Sequence, residues 1–170
     1  MLLLCLGDKV IKKILKGLLV IVCMVTIFYF SSDNGEESTY KSDSVILRVS
    51  SFLGVEDLSK KEQQNLIDTF VVPVRKSAHF FIYLVLGITL ISFLREFSIP
   101  ILKLLLISIF LAFLYACSDE IHQLFIVGRT GRVFDVIIDT LGASTGVCLY
   151  YFLFRKKIKE VSYEQKERTC

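Results

Sequence analysis

Residues 118 to 139 read SDEIHQLFIVGRTGRVFDVIID, and within these 22 positions fall Asp119, Glu120, His122, Arg129, Arg132, Asp135 and Asp139. A histidine beside carboxylates can act as a general base or a nucleophile, so His122, Asp119 and Glu120 form the candidate catalytic set. Arginine forks hold phosphate or carboxylate groups through paired hydrogen bonds. Arg129 and Arg132, with Arg75 and Lys76 from the upstream stretch RKSAHFFIY, are therefore candidate anion ligands, and the glycines at 128 and 131 let the loop backbone approach a ligand closely. His79, Tyr83, Gln123, Asp135 and Asp139 complete the candidate ligand-binding residues. A third chemistry is open to the same donors. Asp119, His122, Asp135, Asp139 and His79 include enough imidazole and carboxylate groups to ligate Zn²⁺ or, through the carboxylates, Mg²⁺. The residue types leave the metal and any other cofactor unspecified.

The elements that must position these groups are apolar. The chain has 170 residues, 54% of them hydrophobic, and only two prolines, with a mean hydropathy of +0.61. The apolar residues come in blocks and do not alternate with polar ones, as those of a soluble helical bundle would. Four blocks approach the length of about 20 residues that a helix needs to cross hydrocarbon: 14–30, 77–94, 101–123 (apolar as far as Cys117) and 133–154. The expected fold is all-α, a single polytopic membrane domain over residues 1–170. The first block ends in FYFSSDNGEE, without the small-residue pattern of a cleaved leader, and reads as a retained anchor. The five cysteines are scattered and make neither a disulfide framework nor a metal-binding spacing.

Between the first two blocks, residues 31–76 form a long polar connection expected to carry two short amphipathic helices on the outer membrane surface. One holds Val45, Ile46, Val49, Phe52 and Leu53 at helical spacing. The other starts at Ser59 with Glu62 three residues on, a capping-box pattern, and Pro73 is expected to break it before the second span.

Net charge is +3, and the basic residues are placed unevenly. Lys9, Lys12, Lys13 and Lys16 precede the first span, Arg95 and Lys103 flank the turn between the second and third, and Arg155, Lys156, Lys157 and Lys159 follow the fourth. By the positive-inside bias these places are cytoplasmic, as are both termini. The basic tail lacks the aromatic interleaving of a nucleic-acid surface.

That orientation puts Arg75, Lys76 and His79, then Asp119, Glu120, His122 and Gln123, then Asp135 and Asp139, at the outer ends of three spans. At 1.5 Å per residue, Asp139 lies roughly 10 Å deeper than Arg132. Residues three and four apart share a helix face. Asp119, His122 and Gln123 meet that condition, with Glu120 about 100° away. Asp135 and Asp139 continue into Gly142 and Gly146, and His79 and Tyr83 into Gly87. Two glycine-bearing faces packed against the third span would enclose an outward-facing polar pocket. Ion pairs of Asp135 with Arg132 and of Asp119 with Arg129 are the structural alternative.

RKSAHFFIYLVLG, followed by LYACSDEIHQLFIVGRTGRVFDVIIDTLGASTG and preceded by FYFSSDNGEES after the first span, resembles the VanZ-like membrane proteins over residues 28 to 146. The match falls on Arg75, Lys76, His79, Tyr83, Asp119, Glu120, His122, Gln123, Arg129, Gly131, Arg132, Asp135, Asp139 and Gly142. The resemblance implies a multi-pass protein of the bacterial cytoplasmic membrane. It also implies a part in reduced susceptibility to glycopeptide antibiotics of the teicoplanin type, with which the family's named member is associated. Membrane lipid, and a lipid-linked cell-wall precursor or a glycopeptide antibiotic, are the partners this suggests; nucleic acid is not among them. The alternative is a membrane enzyme that hydrolyses or transfers a cell-wall or phospholipid head group, using His122 and Asp119 with the Asp135/Asp139 pair.

Overall fold

The computed structural model describes residues 2–33, 35–52, 59–129 and 131–168, and side chains from Val10 to Arg155 apart from those around the gaps. Among the described residues five α-helices follow one another: α1 (Leu2–Ser31), α2 (Gly35–Phe52), α3 (Lys60–Leu94), α4 (Ile101–Gln123) and α5 (Val133–Arg168). A single 3-10 turn, Arg95–Phe97, follows α3. No strand occurs among the described residues. Four of the helices (α1, α3, α4 and α5) are long and apolar enough to cross a membrane. The pattern of burial fits that solvent. Leu106, Phe110, Phe113 and Phe152 face outward, while Asp119, Glu120, Gln123 and Asp139 are buried, the reverse of a water-soluble bundle.

Helix α3 is the hub, packing against α1, α2, α4 and α5. Its most extensive contact is with α5, and glycines make it. A Cβ on Gly87 would lie 2.1 Å from the Ala143 carbonyl oxygen, one on Gly142 2.3 Å from that of Phe80, and one on Gly146 2.0 Å from that of Leu84. The two glycine-bearing faces thus meet one another, backbone to backbone, instead of both turning to α4 as expected from sequence. In lipid, helix association draws on such close packing because the hydrophobic effect gives no preference for helix over lipid. Helix α4 completes the core with small residues: Ala112 and Ala116 pack with Tyr83, Leu86 and Ala143.

The α3–α4 turn is tight. Ser98 takes a left-handed conformation with φ 60°, and Pro100 sits at the N-cap of α4. Lys16 of α1 pairs with Glu96 there and donates to the Ser92 carbonyl at 3.2 Å, while Arg95 donates to the Tyr150 hydroxyl at 3.3 Å. The side chains of Lys9, Lys156, Lys157 and Lys159 lie outside the described ones.

Two expectations for residues 31–76 are corrected. Pro73 does not break the chain, because α3 runs uninterrupted through it from Lys60 to Leu94. The helix is already started at Ser59, whose side chain accepts from the Glu62 N–H while Glu62 accepts from the Ser59 N–H. Proline then removes one donor from an established helix, which membrane helices tolerate through neighbours and local adjustment. The second surface helix is accordingly the polar start of α3. At 35 residues α3 is about 52 Å long, well beyond the roughly 30 Å of hydrocarbon. The first of the two expected helices does form, as α2. Ile46 is buried while Val45, Val49 and Phe52 are exposed; Leu53 lies outside the described residues.

Candidate functional site

The site sits at the end of the bundle where α1 and α4 finish and α5 begins. On α4 the inward stripe runs Ala112, Ala116, then Asp119, Glu120 and Gln123, all buried. With Asp119 at 0° and 100° per residue, Gln123 falls at about 40°, Glu120 at about 100° and His122 at about −60°. The buried arc therefore includes Glu120 and leaves His122 on the flank that faces α1.

His122 stacks on Phe28 with ring centroids 4.4 Å apart, and its Nε2 lies 3.1 Å from the Ser32 hydroxyl. It lines neither of the cavities described below. The histidine that joins the acids is His79, whose Nδ1 is 3.5 Å from Asp139 Oδ1.

Asp119 accepts at Oδ2 from the Ser31 hydroxyl at 2.9 Å and from Gln123 Nε2 at 3.2 Å. Glu120 accepts at Oε2 from the Arg132 backbone N–H at 2.8 Å, so this carboxylate fixes the loop between α4 and α5. The loop comes so near that a Cβ on Gly131 would lie 2.7 Å from the Glu120 carbonyl oxygen, and Gly128 has φ 75°; glycine meets both demands. Asp135, in the first turn of α5, accepts from Lys76 Nζ at 2.8 Å, where the helix dipole also favours a carboxylate. Lys76 lies 4.5 Å from the centre of the Phe134 ring as well. Asp139 is fully buried, and among the described residues neither of its oxygens accepts a hydrogen bond. The Tyr83 hydroxyl, also fully buried, is likewise without a partner there.

Both ion pairs anticipated from sequence are replaced. Asp135 takes Lys76 in place of Arg132. Arg129 donates from Nε to the Asp33 carbonyl at 2.9 Å, from Nη2 to the Phe30 carbonyl at 3.1 Å, and from Nη1 to Gln123 Oε1 at 3.3 Å. It ties the end of α1 to α4 and reaches Asp119 only through Gln123. Burial, with the Arg75 charge next in effect, pushes the Arg129 guanidinium below its ordinary value. Helix α1 is the contributor that sequence reasoning missed. Ser31 supplies a hydroxyl to Asp119, and the visible trace of that role was the Ser31–Ser32–Asp33 run closing an apolar block.

Two cavities adjoin here. The first, about 200 Å³, has Arg75, Lys76 and Arg132 toward the loop and Glu120, His79 and Asp139 at its deep end. The second, about 300 Å³, is lined mainly by apolar side chains, among them Ile27, Phe30, Val45, Val74 and Ile82. Arg75, His79 and Arg129 border both.

Lipid-facing helices around a buried polar cluster define a polytopic α-helical membrane protein with a charged pocket at one end of the bundle. The chain belongs to the VanZ/LLP1 family, whose model matches residues 17–155. No curated protein and no solved structure matches it.

Proposed function

We propose that the chain binds a membrane amphiphile with an anionic head group, phosphate or carboxylate. The head group lies beside Arg75 and Arg132, and part of the hydrocarbon tail lies in the apolar cavity. The observation that carries this reading is the junction of the two cavities along Arg75, His79 and Arg129. A polar chamber opening onto an apolar one matches a ligand that is itself polar at one end. Arg75 makes no hydrogen bond among the described residues, whereas Lys76 is neutralised by Asp135 and Arg129 is engaged by carbonyl groups. The guanidinium that remains for a ligand is thus on α3, at the border of both chambers.

The basic residues near Lys12 to Lys16, Lys103 and Arg155 favour an orientation with this end on the outer face of the bacterial cytoplasmic membrane and both termini inside. Lipid-linked cell-wall precursors and acidic phospholipids share the required chemistry. Holding such a lipid at the outer surface is the route by which the protein would lower susceptibility to teicoplanin-type antibiotics. The test is binding of a polyprenyl phosphate, compared with the uncharged polyprenol, to the chain in nanodiscs. The phosphate should bind more tightly, and Arg75→Ala should weaken it by about 10- to 100-fold, the loss of one charged hydrogen-bonding group. Equal binding of phosphate and alcohol refutes the reading.

A second reading, cleavage or transfer of that head group, draws on the approach of His79 to Asp139 at the deep end of the same cavity. It moves acid–base chemistry from His122 to His79. Release of phosphate from the bound lipid by the wild type and not by His79→Gln would support it.

A further inference from the structure

Around the deep end of the polar cavity, buried carboxylates keep oxygens to which no described group donates a hydrogen bond. Asp119, Glu120 and Asp139 are 3%, 6% and 0% exposed, yet Lys76 is committed to Asp135 and Arg129 to two carbonyl groups and Gln123. Asp119 Oδ1, Glu120 Oε1, both Asp139 oxygens and His79 Nδ1 have no hydrogen-bond partner among the described residues. Burying carboxylates in that condition is costly unless they are paired or coordinate a metal. Ligand atoms of His79, Asp119 and Asp139 all lie within 4.8 Å of one another, and they come from three helices, α3, α4 and α5.

We propose that His79, Asp119 and Asp139 bind a divalent cation beside the deep end of the cavity, which His79 and Asp139 line, through one imidazole nitrogen and two carboxylates, with a further coordination position open toward the cavity. If the head-group reading above holds, an anionic oxygen of the lipid occupies that position; the cation site itself does not depend on it. Three protein ligands with one position left open is the arrangement of a working metal centre and not of a closed structural one. One nitrogen with two carboxylates suits Zn²⁺ or Mn²⁺, while Ca²⁺ takes six to eight oxygens. With bonds of 2.0–2.1 Å, neighbouring ligands of a tetrahedral ion stand roughly 3.3 Å apart. His79 and Asp139, at 3.5 Å, already stand at that spacing, and side-chain rotation can close the rest. His122, stacked on Phe28, and Asp135, paired with Lys76, lie outside the set.

The experiment uses the full chain in detergent, stripped with a chelator and then titrated with Mn²⁺ alone. Wild type should take up one ion per chain, with nitrogen modulation in the bound Mn²⁺ paramagnetic resonance signal. Isotopic substitution of histidine nitrogen should alter that modulation, and this arm needs no mutation. Asp119→Asn and Asp139→Asn should each weaken uptake by at least about tenfold, and Asp68→Asn, at an exposed position near the start of α3, should leave it unchanged, each variant being compared at equal helicity and elution volume. A folded wild type without stoichiometric uptake, or uptake that Asp139→Asn and Asp119→Asn leave intact, overturns the proposal and assigns the charge balance to protons. Ion uptake without polyprenyl phosphate binding would support the cation site and sink the head-group reading. Phosphate binding unaffected by chelator, in a chain that takes up no ion, would do the reverse.

Discussion

Replacing Gly142 with alanine tests the seam between α3 and α5 on which the site is mounted. The added Cβ would lie 2.3 Å from the Phe80 carbonyl oxygen, 3.0 Å from its carbon and 3.1 Å from its Cα. These are main-chain atoms, so no rotamer change relieves the contact. The helices must part by about 0.7 Å, the difference between that 2.3 Å and the 3.0 Å below which real Cβ atoms are essentially not found. Overpacking of this kind destabilises by about 1–3 kcal/mol. Asp139 lies one turn from Gly142, and His79 precedes Phe80, so the same displacement acts on the 3.5 Å approach of His79 to Asp139. The expected result is a lower unfolding free energy by steric trapping or reversible detergent unfolding, accompanied by weaker polyprenyl phosphate binding. Leu141→Ala, at a neighbouring exposed position, is the control and should change the unfolding free energy by less than about 0.5 kcal/mol. If Gly142→Ala is as stable as Leu141→Ala, the backbone contact between α3 and α5 is not made as described.

Arg129→Ala removes donors to the Phe30 and Asp33 carbonyls and to Gln123; it should destabilise by about 2–3 kcal/mol, the scale of buried groups left unpaired, and a loss under about 0.5 kcal/mol would show that the end of α1 is held by other contacts. His122→Phe keeps the stack on Phe28 and loses the Ser32 contact, so lipid binding and any turnover should persist; their loss at normal protein levels would restore His122 to the chemistry. A cysteine at Gly128, in a chain freed of its own five, should react with an impermeant reagent from outside, and one at Lys157 only from inside; the opposite pattern would invert the proposed orientation.

The sequence revealed what depends on periodicity. Apolar blocks foretold the spanning helices, and Gly142 and Gly146 at a spacing of four, opposite Gly87, foretold faces on which helices could approach closely. Partner choice was not legible, because it depends on how helices rotate about their axes once packed. A 100° step separates Asp119 from Glu120, and sequence alone could not tell which of Glu120 and His122 would share the buried arc. The Lys76–Asp135 pair spans 59 residues and the Arg129 bonds to α1 nearly a hundred, distances at which no local pattern carries information. Carbonyl acceptors hide most completely, since every residue has one. Pro73 misled for a related reason. Its local preference for ending a helix was outweighed by a helix already started at Ser59 and prolonged by the packing of the span that follows.

The position of the site follows from where the glycine seam stops. Along Gly87, Gly142 and Gly146 the backbones of α3 and α5 touch and leave no room for side chains between them. Toward the α4–α5 loop, Gly142 gives way one turn on to Asp139, Phe80 is preceded directly by His79, the α4 stripe changes from Ala116 to Asp119 and Glu120, and space opens into a cavity of about 200 Å³. Tight packing on one side and the loop fixed by Glu120 on the other hold the acids at a defined separation. Keeping carboxylates that close in a medium that disfavours their charge is costly. Glycine contacts therefore set the geometry on which the proposed ligand binding depends, and a change at Gly142 should be felt in lipid binding as well as in stability.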